Sequence, residues 1–208
     1  MGEHNPVRPW LIALAVLTVA LTTASRFWPT VSSIEVRVDG HYGFDDVVAL
    51  ADVAEGDPLL WVTQWRLRHL EADPWVAHAT VTRVWPDGLL IDVWERKPLA
   101  RPAGQAPAFV WAEDGSVLPE PPAEVLQSLP VLDGWGRDRT QEALALLRLL
   151  NSRGVEVVQY SPEGFEIAMG NARVFTPSLE ALRRHWAAVQ SHDAGRLAVY
   201  PWGVSHEE

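Results

Sequence analysis

A chain of 208 residues has room for one to two domains and for a core that needs no disulfide or metal staple. It holds no cysteine, which excludes a disulfide scaffold and thiol catalysis. A formal net charge of -10, with no run of Lys or Arg, argues against nucleic acid, whose phosphates demand a basic surface.

From Pro9 to Ser25 the chain carries 17 residues without a charge, mostly Leu, Ala, Val and Thr, with Trp10 and Trp28 bracketing the stretch. Over residues 9–28 this predicts a transmembrane helix, its two Trp rings ~27 Å apart as interface anchors in contact with the lipid bilayer. A cleaved signal peptide ending near Thr22-Thr23-Ala24 is the rival reading. Arg8 before the span and Arg26 and Arg37 after it leave the orientation open on charge.

Ile34, Val36 and Val38 alternate with Glu35, Arg37 and Asp39, which predicts a first strand from Ser33 to Gly40. Phe44, Val47, Val48 and Ala51 then fall at helical spacing. Gly56-Asp57-Pro58 breaks the chain, and Leu67 and Leu70 mark a second short helix that stops at Asp73-Pro74. Pro74 to Leu99 reads as a β-hairpin. Ala77, Ala79 and Val81 face one way on its first run, Leu89, Ile91 and Val93 on its second, and Trp85-Pro86-Asp87-Gly88 turns between them.

Pro74-Trp75-Val76, Ala79, Val81, Arg83, Trp85-Pro86, Leu89, Ile91, Val93, Glu95-Arg96 and Pro98-Leu99-Ala100 resemble, in register, the end of a POTRA domain. More narrowly, they resemble the version found in the bacterial division proteins of the FtsQ/DivIB family. The element order strand-helix-helix-strand-strand over residues 33–98 is that of a POTRA domain. His41 departs from the asparagine usual after the glycine.

Beyond Ala100, Phe109 to Leu118 reads as a second hairpin around Glu113-Asp114-Gly115, and Leu129 to Gly134 as a strand and turn. Asp138 with Gln141 predicts a capping box for a helix on Ala143, Leu147 and Leu150 that closes at Gly154. Val155–Tyr160, Phe165–Met169 and Ala172–Phe175 read as a meander. Thr176 is expected to cap a last helix lined by Leu179, Leu182, Trp186 and Val189, before one final strand, Arg196 to Tyr200. The fold expected is therefore α+β: a short tail at 1–8, a single transmembrane helix at 9–28, a POTRA domain at 29–98 and a β-rich domain with two helices at 99–208.

No catalytic or cofactor pattern emerges. The histidines make no metal spacing, although His185 and His192 stand seven apart on the expected last helix. Asp45, Asp46, Asp52, Glu55 and Asp57 read as a solvated acidic face in preference to a calcium site. No phosphate loop, dinucleotide glycines or nucleophile elbow occurs. The expectation is a protein that is not an enzyme and has no cofactor. Trp65, Trp75, Trp85 and Trp186 suit core or rim packing, and Trp94, on the polar side of its strand, suits contact.

The resemblance implies a cytoplasmic N-terminus, an external body and residence in the cytoplasmic membrane at the division septum. It also implies a divisome scaffold that links early and late components, binds FtsB-like and FtsL-like partners and helps control septal peptidoglycan synthesis. Leu197 to Val204 carries no charge and resembles the family's partner-binding C-terminal strand. It is read as an edge strand with Leu197, Val199, Tyr200, Trp202 and Val204 at the contact. A recruitment surface is expected on the POTRA half at Arg68, His78 and Thr80. The competing classes are a transport-type POTRA protein handling unfolded outer-membrane clients and an anchored cell-wall hydrolase.

Overall fold

The computed structural model describes residues 9–27, 29–104, 107–150, 154–191 and 194–207. The chain divides into two compact units, Met1–Glu95 and Arg96–Glu208.

The first unit opens with α1, Pro9–Ala24, a helix of 16 residues whose apolar side chains stand exposed on all sides. At 1.5 Å per residue it is about 24 Å long, short of the ~30 Å of a hydrocarbon core. It closes in tightening bonds, Arg26 N to Thr23 O (3.2 Å) and Phe27 N to Ala24 O (3.0 Å). Ser25 Oγ then accepts from Trp61 Nε1 at 3.1 Å and the Arg26 guanidinium lies over the Trp61 ring, so the chain is turned onto the domain at this point. Among the described residues no helix is long and apolar enough to cross a membrane. The single-span reading of residues 9–28 is thereby corrected. Trp10 is half-exposed on α1, and Trp28 lies outside the described residues.

The rest of the unit runs β1 (Ser33–Asp39), α2 (Phe44–Ala51), two 3-10 turns (Leu59–Trp61 and Gln64–Leu67), α3 (Arg68–Glu71), β2 (Val76–Val84) and β3 (Gly88–Glu95). β3 is the central strand, parallel to β1 and antiparallel to β2. Val47 and Ala51 from α2, Leu59, Leu67 and Leu70 from the turns and α3, and Ala79, Leu89, Ile91 and Val93 from the sheet are buried together. A register shift between Val76 and His78 leaves Ala77 exposed, which corrects its expected inward position. Val76 takes the inner face instead.

Two features lock this unit. The Glu95 carboxylate accepts from Tyr42 N at 2.9 Å and meets His41 Nδ1 at 2.6 Å, and a Cβ at residue 40 would overlap it, which is why glycine stands there. Beside it the Tyr42 phenol has its pKa pushed well above the ordinary value by burial, reinforced by its hydrogen bond to Asp73. Along the outer edge of β2, Gln64 Nε2 donates to Ala79 O (2.5 Å) and Gln64 Oε1 accepts from Val81 N (3.2 Å). Glu71 accepts from Ala79 N (3.4 Å), and the Arg83 guanidinium binds the carbonyls of Leu59, Leu60 and Val62.

The second unit is a nine-stranded sheet of order β12-β11-β10-β9-β8-β7-β4-β5-β6. Its elements are β4 (Pro98–Pro102), β5 (Phe109–Ala112), β6 (Val117–Pro119), α4 (Ala123–Ser128), β7 (Val131–Gly134), α5 (Thr140–Leu150), β8 (Val157–Tyr160), β9 (Phe165–Met169), β10 (Ala172–Thr176), α6 (Leu179–Arg184), α7 (Trp186–Gln190), β11 (Gly195–Tyr200) and β12 (Gly203–Glu207). β7 and β8 are parallel, as are β10 and β11, and each pair is joined by a helical crossover, α5 in one and α6 with α7 in the other. Parallel neighbours require such a crossover, whereas hairpins join the antiparallel ones. Leu144, Leu147 and Leu150 of α5 with Leu182 and Val189 bury one face of the sheet, which offers Leu132, Val158, Ile167, Val174, Leu197 and Val199.

Local chemistry explains where the expected boundaries moved. Asp138 accepts from both N and Oγ1 of Thr140 at the start of α5, and those bonds hold its carboxyl below the usual range. Ser178, not Thr176, caps α6, accepting from Ala181 N at 3.2 Å, while Thr176 Oγ1 donates to Ser178 O. The last helix is two short ones because the backbone leaves helical geometry at His185. Two strands follow it instead of one.

Gln64→Ala should lower the unfolding free energy by ~1–3 kcal/mol in a urea titration, because it strips two backbone groups of β2 of their partner. Tyr42 titrates with a folded pKa above its ordinary value of 10.0, so its contribution is present below that pH and is lost as pH rises above it. The alkaline fall in melting temperature should therefore be shallower in Tyr42→Phe than in the parent chain.

Candidate partner-binding site

Leu197, Val199, Tyr200, Trp202 and Val204 do not share one edge. β11 is an internal strand, parallel to β10 over Gly195–Ala198 and antiparallel to β12 over Arg196–Tyr200. Leu197 and Val199 are buried in the core. The edge-strand reading of Leu197–Val204 is corrected accordingly: among the described residues the sheet ends at β12, and Val204 is the one residue of the five that lies on that strand. The tight reversal at Pro201-Trp202 produces this outcome, pairing Tyr200 with Gly203 and Val199 with Val204. Arg184 pins the reversal from α6, donating from Nη1 to Pro201 O (2.9 Å) while Nη2 meets Glu180 (2.9 Å).

Pairing registers put Gln159, Glu166, Phe175, Ala198 and Ser205 in one row across the open face of the sheet, on the side away from the helices. Tyr200 is two residues beyond Ala198 on that face, with its ring 6.0 Å from Phe175 and stacked on Trp202 at 5.1 Å and 7°. Trp202 is 82% exposed. Beside these rings a shallow cleft of about 260 Å³ is walled by Glu166, Arg173, Phe175, Arg196, Ala198 and Tyr200. Arg173 reaches Glu166 only at 3.5 Å. The arrangement can accept a strand on the β12 edge and seat apolar and acidic side chains on the neighbouring face.

Sequence reasoning missed Phe175, Arg173, Arg196 and β12 itself. The signal for the strand was present, because Gly203 follows Pro201-Trp202 between two alternating runs, a hairpin signature.

The residues expected on the first unit fall on two elements, Arg68 on α3 and His78 with Thr80 on β2. Arg68 is on α3 with its guanidinium 3.7 Å from the Trp65 ring centre. His78 and Thr80 lie on the open sheet face, paired with Trp94 and Asp92, and His78 stacks on Trp94 at 5.6 Å while its Nδ1 meets Glu71 at 3.1 Å. Trp75 is buried, Trp186 packs against the second core, and Trp65 and Trp85 are exposed. Asp57 pairs with Arg66 at 2.6 Å and Asp46 accepts from Gly43 N at the start of α2, so these acids have structural partners. Among the described residues no three His, Cys, Asp or Glu converge as metal ligands. His192 lies outside them.

Residues 30–96 match the family model of the FtsQ-type POTRA domain. Over 148 residues the chain is 35% identical to the cell division protein FtsQ of Bradyrhizobium diazoefficiens, covering 70% of this chain and 42% of that one. The chain belongs to the FtsQ/DivIB family. It is 28% identical over 144 residues to FtsQ of Cellvibrio japonicus, covering 60% of this chain and 41% of the relative. With FtsQ of Nitrosospira multiformis it shares 26% over 207 residues, 91% of this chain and 85% of the relative. The first two matches thus span less than half the length of those FtsQ relatives. Residues 30–96 thus form a POTRA domain of the FtsQ type.

Burial separates the roles of the C-terminal residues. Leu197→Ala should cost ~2–5 kcal/mol of folding stability, whereas Trp202→Ala should stay within ~0.5 kcal/mol of the parent, both measured by chemical denaturation.

Proposed function

We propose that this chain is a non-enzymatic scaffold of the divisome, and that β12 binds a partner by taking its strand onto the open end of the nine-stranded sheet. The observation that carries this reading is the place of β12 at the end of the sheet among the described residues, next to the stack of half-buried Tyr200 on exposed Trp202. An open edge supplies backbone donors and acceptors, and an adjoining aromatic step supplies the anchor that turns generic pairing into specific binding. Arg173 and Arg196, walling the neighbouring cleft, favour acidic side chains beside the added strand. The family resemblance makes an FtsB-like protein the first candidate, with an FtsL-like protein beside it. The work assigned is to link early to late division components and so help control septal peptidoglycan synthesis.

Action at the division site, on the outer side of the cytoplasmic membrane, belongs to the same proposal and rests on kinship with FtsQ. It does not rest on a membrane-crossing helix. The POTRA unit carries the second part of the reading, recruitment through exposed groups. His78, stacked on Trp94 beside Thr80, forms one patch for this, and Arg68 on Trp65 forms another.

Tyr200→Ala should weaken binding of an FtsB-like partner by ~2 kcal/mol or more, read by calorimetry, with little change in melting temperature. Removing residues 203–208 should abolish co-purification of that partner. Binding that survives the truncation would sink the edge-addition reading.

A further inference from the structure

The three-stranded sheet of the first unit also has two edges, and they are treated differently. β2 is closed by Gln64, Glu71 and Arg83 as described. β1 is hydrogen-bonded to β3 alone, and among the described residues no strand lies on its outer side. Ile34, Val36 and Val38 on its inner face are only half-covered, although they pack on the core. The edge carries Glu35 and Arg37, paired with each other along the strand at 2.8 Å and both 62% exposed, and then Asp39.

Charges on an edge strand ordinarily deter pairing with another chain. Their order here does the opposite for one partner. When β1 runs antiparallel to a second β1, side chains keep to their own faces only in registers that match odd positions with odd and even with even. Centring on Glu35 sets Glu35 against Glu35, and centring on Arg37 sets Arg37 against Arg37. Centring on Val36 sets Glu35 against Arg37 twice, Ser33 against Asp39 twice, and Ile34 against Val38 twice, so that every charged pair is of opposite sign and the apolar row continues unbroken across the seam.

We propose that β1 pairs antiparallel with β1 of a second copy of this chain about a two-fold axis at Val36, joining two POTRA units into one six-stranded sheet. The contact is isologous, closes at two copies and leaves no complementary edge for a third. It draws on nothing in the partner-binding reading of the second unit, so either stands without the other.

The chain has no cysteine, which allows a direct test on the full-length protein in a mild detergent that covers the exposed apolar surface of α1. Val36→Cys should form a disulfide-linked dimer under mild oxidation, because directly opposed Cα atoms of antiparallel strands lie ~4.5–5.5 Å apart, within disulfide reach. Glu35→Cys should not, since the two copies of residue 35 would stand about 8 Å apart, and mixing it with Arg37→Cys should restore the link. In sedimentation, Arg37→Glu should weaken the dimer about tenfold or more, and the double swap Glu35→Arg with Arg37→Glu should restore it. A chain that stays monomeric at every concentration overturns the proposal. So does a dimer indifferent to the Arg37 charge, as one built on β12 or on α1 would be, or capture of a different protein's strand on β1 in place of a second copy.

Discussion

A backbone amide or carbonyl at the rim of an open sheet must find a partner or stay in water, and this constraint organises both units. Among the described residues neither sheet closes on itself, and the end strands are β1 and β2 in the POTRA unit, β6 and β12 in the other. The sequence spends side chains on one of them. Gln64 reads like an additional half-strand beside β2, giving and taking one bond each, and Arg83 ties the end of that strand to three carbonyls of the preceding turn. β6 is blunted by being three residues long and ending in Pro119. The remaining end strands are β1 and β12, one in each unit, and both binding proposals fall on them.

The POTRA elements were legible because their signals are local. Alternation over Ile34–Val38 and Leu89–Val93 and the break at Asp73-Pro74 each act within a few residues, so the order of strands and helices follows directly. The misplacement of Ala77 has a physical cause that alternation cannot carry. A bulge inserts one residue without changing composition, and every side chain before it changes face. The span over residues 9–28 failed for another reason. Hydropathy measures whether a stretch tolerates lipid, while helix length depends on where Ser25 and Arg26 find partners, and those partners sit on Trp61, far along the sequence.

In the second unit the residue choices were readable and the pairing was not. Leu197 and Val199 were recognisable as strand residues, but whether β11 is an edge depends on the hairpin at Pro201-Trp202 and on a parallel neighbour reached through α6 and α7. Parallel pairing leaves no mark at the turn, because the two strands are joined through a helix and their register is set by packing. Arg173, Arg196 and Phe175 became visible as one surface only when the registers aligned them. Tyr200 lies on the same face, on a strand that is internal to the sheet.

The bond from Arg184 to Pro201 has a bearing on kinetics. It fastens the reversal between β11 and β12 to a helix whose own first turn is capped by Ser178, so the terminal hairpin is held to the body at its tip as well as along its ladder. An edge fixed in this way loses little freedom when a second strand arrives, and the ordering cost of association falls mainly on the incoming chain. Complexes formed on such a template are distinguished from one another chiefly by how slowly they come apart, which would let the proposed scaffold hold an assembly through a slow event while admitting partners quickly.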